Sequence, residues 1–176
     1  MTHDLTIELD DHVPLLRLTR DFDASPDVVF RAWAQPDLVA RWLGPRDREM
    51  LVERYDCVTG GSYRYVHRRG DDDQWFHGSF HDVRPGELIV QTFTWEGMPD
   101  HVALERVLFS DLGEGRTLMT STSLVDSFEG RDAFVASGME TGVRDSFEML
   151  DEILADDNAM PRATFRTSPR PRSVGA

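Results

Sequence analysis

Six successive segments, near 49–57, 62–69, 74–83, 88–96, 102–110 and 116–124, alternate apolar and polar residues with a period of two. Only one later stretch, 139–155, carries a long apolar stripe at helical spacing, through Met139, Val143, Phe147, Leu150 and Leu154. This imbalance constrains the fold more than any other feature. A sheet of that many strands must bury one face, and one helix is long enough to cover it. The links between the strands are turn chemistry: Thr59-Gly60-Gly61, Gly70 to Asp73, Pro85-Gly86, Gly97 to Asp100 and Gly113 to Gly115. Links of hairpin length predict an antiparallel meander.

The N-terminal part supplies a further strand at 15–22, with Leu16, Leu18 and Phe22 on one face, and residues 5–9 are a candidate short extra strand before it. Two short helices follow back to back. Ser25-Pro26 opens the first, with Ser25 a good N-cap; Pro36 opens the second, and Gly44-Pro45 stops it. Both carry a Trp on the apolar side. They are too short to cover a sheet, so they plug one end, with Trp33 and Trp42 filling the mouth between sheet and long helix. A shorter helix near 130–136 precedes the long one. The expected class is α+β: a seven-stranded antiparallel curved sheet wrapped around a long C-terminal helix, with two short helices after the first strand. One domain spans 1–155. Residues 156–176, with Pro161, Pro169, Pro171 and four Arg, are expected to be a disordered tail.

Charge narrows the partners. The net charge is −13, and all 19 basic residues are Arg. Four of them lie beyond Asp157, which leaves the body at about −17. Such a body repels nucleic acid and anionic membrane. No apolar run reaches membrane-spanning length, and the acidic start MTHDLTIELDDH does not read as a signal peptide. A lone cysteine, Cys57, allows no intrachain disulfide, which is consistent with a reducing, cytoplasmic setting.

Strand phase nominates the inner wall. Tyr63, Tyr65 and His67 share a face, as do Ile89, Gln91, Phe93 and Trp95. Leu51, Glu53, Tyr55 and Cys57 form the expected inner set of the strand near 49–57. Further on, Glu105, Val107 and Phe109 are assigned inward, followed by Leu118, Thr120 and Thr122. The wall is therefore mostly aromatic, with Glu53, His67 and Glu105 as candidate polar anchors, or as rim residues in water if the phase slips by one. Met139, Val143 and Phe147 approach it from the helix. Gly138 and Gly142 on that helix have two readings, close packing on the sheet or room left for a ligand. A pocket on the order of 300–1,000 Å³ is expected between helix and sheet. No metal or cofactor is expected: His77 and His81 in HGSFH stand roughly 13 Å apart along a strand, and Gly113 and Gly115 open no helix.

Several motifs carry a resemblance. They are FDASPDVVFRAWAQPDLVARWLGP (22–45), Gly60-Gly61, HGSFHDVRPGELIVQTFTW (77–95), GEGRTLMTST (113–122) and SGMETGVRDSFEMLDEIL (137–154). In this order they resemble the SRPBCC (START and birch-pollen-allergen-like) superfamily, and within it the AHSA-type bacterial family named after the activator of the heat-shock chaperone ATPase. The resemblance implies a helix-grip fold enclosing a cavity. The chain departs from the family pattern at Leu43, Thr122 and Met139, where Trp, His and Trp are usual, so the cavity wall is its own. The leading expectation is a non-enzymatic carrier, sequestering protein or sensor for a small apolar or amphipathic molecule. The alternatives are a cyclase- or hydrolase-like enzyme using the same cavity, and a protein-interaction module related to co-chaperones.

Overall fold

The computed structural model describes residues 4–156. In chain order the elements are β1 (Thr6–Leu9), β2 (Leu15–Phe22), α1 (Pro26–Ala34), α2 (Pro36–Trp42), β3 (Glu49–Tyr55) and β4 (Ser62–Arg69). They continue with β5 (Asp72–Arg84), β6 (Leu88–Trp95), β7 (Ala103–Gly113), β8 (Arg116–Leu124), α3 (Phe128–Ala136) and α4 (Met139–Leu154). The strands form one antiparallel sheet of eight in the order β1-β2-β8-β7-β6-β5-β4-β3. The count exceeds seven because the candidate segment near 5–9 pairs with β2, Thr6 opposite Thr19. The tail expected to be disordered lies, apart from its first residue, outside the described residues.

Local chemistry sets the helix ends. Proline opens both α1 and α2, where its fixed φ suits a first turn. Ser25 occupies the N-cap with extended backbone, but its side chain makes no cap hydrogen bond. Gln35 precedes Pro36 and is therefore held extended, which separates the two helices. Ser127 does cap α3, accepting from the Gly130 N–H at 3.0 Å.

The core gathers at the end of the sheet that α1, α2 and the second half of α4 cover. Phe22, Val29, Phe30, Trp42, Phe109, Met119, Phe147 and Leu150 are buried there. Phe147 meets Phe22 edge-on at 5.7 Å and Trp42 at 6.5 Å between ring centroids. Polar ties hold α4 in place. Arg20, buried on the inner face of β2, donates to the Phe147 carbonyl at 2.8 Å and pairs with Asp151 at 2.5 Å. Ser146 accepts from the Gly44 N–H, and its one hydroxyl proton has the Gly142 carbonyl at 2.8 Å and the Gly44 carbonyl at 3.1 Å as alternative acceptors.

Two strands depart from the expected phase. In β3 the pairing passes from Val52↔Tyr65 to Arg54↔Arg64, so Glu53 is the extra residue of a β-bulge. Met50 and Val52 face inward before the bulge and Tyr55 after it, while Leu51 and Glu53 are exposed. In β8 the inward residues are Thr117, Met119, Ser121 and Ser123, not Leu118, Thr120 and Thr122. Both faces of TLMTSTS hold small polar residues, so alternation alone could not choose between them.

Candidate functional site: a polar row in an aromatic wall

Beyond the packed end of the core, the inner face of the sheet stands clear of the helices. A cavity of about 190 Å³ lies there, between the sheet, the α1–α2 corner and the start of α4. This is smaller than the expected 300–1,000 Å³. Trp33, Trp42 and Leu43 close it from the corner, and Phe134, Met139 and Val143 from α3 and α4. A second hollow of about 100 Å³ shares Leu16, Phe93, Glu105, Ser123 and Phe134 with it.

Sheet register builds its polar feature. Gln91 lies opposite Glu105, and Glu105 opposite Ser123, on three neighbouring strands. Direct cross-strand neighbours on one face have Cβ atoms about 5 Å apart, and here that closeness becomes hydrogen bonding. Gln91 Nε2 donates to Glu105 Oε2 at 2.9 Å, and Ser123 Oγ donates to Glu105 Oε1 at 3.2 Å. Burial raises the Glu105 pKa above the ordinary glutamate value, and the two hydrogen bonds oppose that rise. Among the described residues, none of those lining the larger hollow is basic.

Around this row stand aromatic rings. Tyr63 and Tyr65 stack at 5.9 Å between centroids, Tyr55 lies 5.8 Å from Tyr63, and Trp33 lies 4.4 Å from Trp42. Two phenols are committed to the scaffold: Tyr55 donates to the Trp33 carbonyl at 2.9 Å and Tyr63 to the Thr92 carbonyl at 2.7 Å. Tyr63 reaches Thr92 across Gly78, where a Cβ would stand 2.6 Å from the phenol. Burial pushes all three tyrosine pKa values upward, so the phenols stay neutral.

The structure thus gathers Trp33, Trp42, Tyr55, Tyr63, Tyr65, Phe93, Glu105, Met139 and Val143 around one cavity. It leaves out the other nominated residues. Glu53, turned outward by the bulge, pairs with Arg64 at 2.7 Å on the outer face. His67 is buried outside the cavity lining, its ring tilted against those of Tyr65 and Phe76. Burial lowers its pKa to about 4, and its buried Nε2 has no hydrogen-bond partner among the described residues. The trio of Glu53, His67 and Glu105 is therefore not assembled.

Trp95 turns to the rim, donating from Nε1 to Gln74 at 2.9 Å. Thr120 and Thr122 follow the outward phase of β8, and Phe147 belongs to the packed core. Gly142 faces Pro45, 3.7 Å from where a Cβ would sit, and Gly138 is the N-cap of α4 with φ 86°. Neither glycine lines the cavity. Cys57 is half-buried, and burial pushes its thiol up to about 12, far from a nucleophilic thiolate. His77 and His81 are exposed, and among the described residues no cluster of three His, Cys, Asp or Glu could hold a metal. No described helix is long and apolar enough to cross a membrane.

Sequence reasoning missed Ser121, Ser123 and Phe134, while Leu43, singled out as a change in the cavity wall, does line it. The serines were lost with the phase of β8. Their only signal was Met119, whose bulk marks the buried face two and four residues earlier. Phe134 sits on a helix too weakly amphipathic to show which side meets the sheet.

The fold is shared with solved bacterial structures. A protein from Rhodobacter sphaeroides superposes with a TM-score of 0.79 at 23% identity, over 86% of this chain and 99% of that one. One from Arthrobacter aurescens gives 0.78 at 24%, over 92% and 98%. The protein Ms6760 from Mycobacterium smegmatis gives 0.76 at 19%, over 86% and 97%. No curated protein matches the chain. The family model described as Activator of Hsp90 ATPase homolog 1-like protein matches residues 23–155, every element from α1 to α4, and the chain therefore belongs to that family.

Proposed function

We propose that the protein binds a small, mainly apolar molecule in the cavity, with the ligand's one polar group at Glu105. The observation that carries this is the Gln91–Glu105–Ser123 row. It is a carboxyl inside an aromatic wall, hydrogen-bonded by neutral donors. A carboxylate is costly to enclose without compensation, and an apolar residue would serve packing better. The volume sets the scale. A cavity of about 150 Å³ accepts benzene, so about 190 Å³ suits a single substituted ring. The test is a heteronuclear NMR titration with single-ring fragments. Shifts clustering on Tyr65, Phe93, Ser121 and Ser123 are expected; shifts scattered over the outer face would overturn the proposal.

A second reading rests on family membership: a protein-interaction module acting on a chaperone ATPase. Its structural support is on the outer face. Leu15, Leu124 and Leu104 stand side by side across β2, β8 and β7, with Leu104 and Leu124 49% and 38% exposed. Stimulation of a purified Hsp90-type ATPase by this protein, abolished by Leu104→Asp, is the outcome this reading requires.

A further inference from the structure

From the chemistry of the wall we infer that the ligand class is a small organic cation, an amine carried on a ring or short apolar body, with Glu105 as its counter-ion. This rests on the cavity-binding proposal and goes beyond it by naming the charge. Three observations carry it.

The first is the donor set of Glu105. Its oxygens accept one hydrogen bond each, from an amide and a hydroxyl. A carboxylate oxygen has room for a second donor, and no cationic side chain lines the larger hollow among the described residues to take it. In the smaller hollow Arg131 is present. Its guanidinium is bound to Asp132, to the Asp10 carbonyl and over the Phe128 ring.

The second is the surround. Rings of Trp33, Tyr55, Tyr63, Tyr65 and Phe93 line the same space. Aromatic faces attract a desolvated cation, and more strongly when water is excluded. With two of the phenols spent on backbone carbonyls, those residues offer the cavity ring surface more than hydroxyl groups.

The third is sign. A carboxylate ligand would meet Glu105 as a like charge, and an acidic protein of net charge −13 draws cations toward it.

The experiment is isothermal titration calorimetry of the full chain at neutral pH with benzylamine, benzyl alcohol and benzoate, which share one ring and differ in charge. Benzylamine is expected to bind about tenfold or more tightly than benzyl alcohol, and benzoate not at all, because a charge-assisted hydrogen bond and the ring faces favour only the cation. Glu105→Gln should erase the benzylamine advantage, bringing benzylamine and benzyl alcohol to within about twofold of each other, since the removed charge is what favours the amine over the alcohol. If benzyl alcohol binds as well as benzylamine, or benzoate binds, the cation inference fails while the cavity proposal stands. If none of the three binds, both fall. Should Glu105→Gln fail to fold, the comparison of benzylamine with benzyl alcohol on the unaltered chain still decides.

Discussion

The two ends of the sheet's inner face are built from the same strands and have opposite textures. At one end, Phe109 of β7 and Met119 of β8 are paired, Phe22 lies opposite Thr117, and side chains of α1, α2 and α4 join them in one buried cluster. Four pairs further along the same strands, Glu105 faces Ser123. There the side chains shorten and turn polar, the cover passes to α3 and the first turns of α4, and the hollow opens. Where the inner side chains of β7 and β8 are large, the helix packs on the sheet. Where they are small or polar, the helix cannot follow the surface inward, because it is already held by Arg20, Asp151 and Ser146. The packed end supplies stability, and the hollow end is left available for binding.

The largest expected break of this contrast is Trp42→Ala. Trp42 touches the cavity, but it is only 2% exposed, lies against Trp33 and Phe147, and donates from Nε1 to the Ala32 carbonyl at 2.8 Å. The sequence pattern places it in the mouth between sheet and long helix, as part of a plug. Its burial and hydrogen bond make it part of the packed end. A loss of about 3–5 kcal/mol in chemical denaturation is expected. A loss below about 1 kcal/mol would return Trp42 to the role of a mere lid.

Next is Gly44→Ala. Gly44 has φ 117°, a region strained for any residue with a Cβ, and an added Cβ would stand 2.6 Å from the His67 ring. The turn that ends α2 and the imidazole of β4 occupy one another's space. About 2 kcal/mol or more of destabilisation is expected, from strain and overpacking together. An urea midpoint that does not move would show that the turn relaxes freely and that His67 is not locked.

How much of this was legible in the sequence differs between the two ends. The packed end was largely readable: Val29, Phe30, Trp42, Phe147 and Leu150 are large apolar residues at helical spacing, and proline marks both short helices. The hollow end was readable where bulk alternated with polarity, as in β4 and β6, which gave Tyr63, Tyr65, Gln91 and Phe93 their correct side. It failed at two points. A bulge is one inserted residue that propensity does not announce, and it exchanged Glu53 for Val52. A strand with serine and threonine on both faces has no hydrophobic phase, and that cost Ser121 and Ser123. Glycines invited a volume argument on α4, whereas Gly138 answers a backbone need at the α3–α4 junction. The volume came instead from two serines on the sheet.

The pH dependence of stability sharpens the comparison at the polar row. Burial raises the Glu105 pKa in the folded state, so the folded protein binds a proton more readily there than the unfolded chain does. The contribution of this group to stability is then fully present below the ordinary glutamate pKa and is lost as pH rises through the raised value. The tyrosines facing it do not titrate in that window, because burial shifts Tyr55, Tyr63 and Tyr65 upward. Relative to Glu105→Gln, the natural protein should lose melting temperature as pH rises across that interval, and the gap should level off above it. A gap independent of pH would mean that the carboxyl is solvated and the hollow is open to bulk water.

The smallest expected effect is the most direct test of the two textures. Ala32→Val and Ser121→Val each enlarge a side chain, one at each end. Ala32 is fully buried in α1, in one core cluster with Phe22, Phe30 and Trp42, and overpacking there should cost about 1–3 kcal/mol. Ser121 borders the hollow beside Val107 on a strand that accepts β-branched residues. Its replacement should change stability by less than about 1 kcal/mol, while the space open to a ring-sized probe shrinks. Paired melts therefore expect a clear drop for Ala32→Val, almost none for Ser121→Val, and weaker fragment binding for Ser121→Val alone. Equal destabilisation by the two would mean that the sheet is packed alike from end to end and that the cavity closes when the protein is in solution.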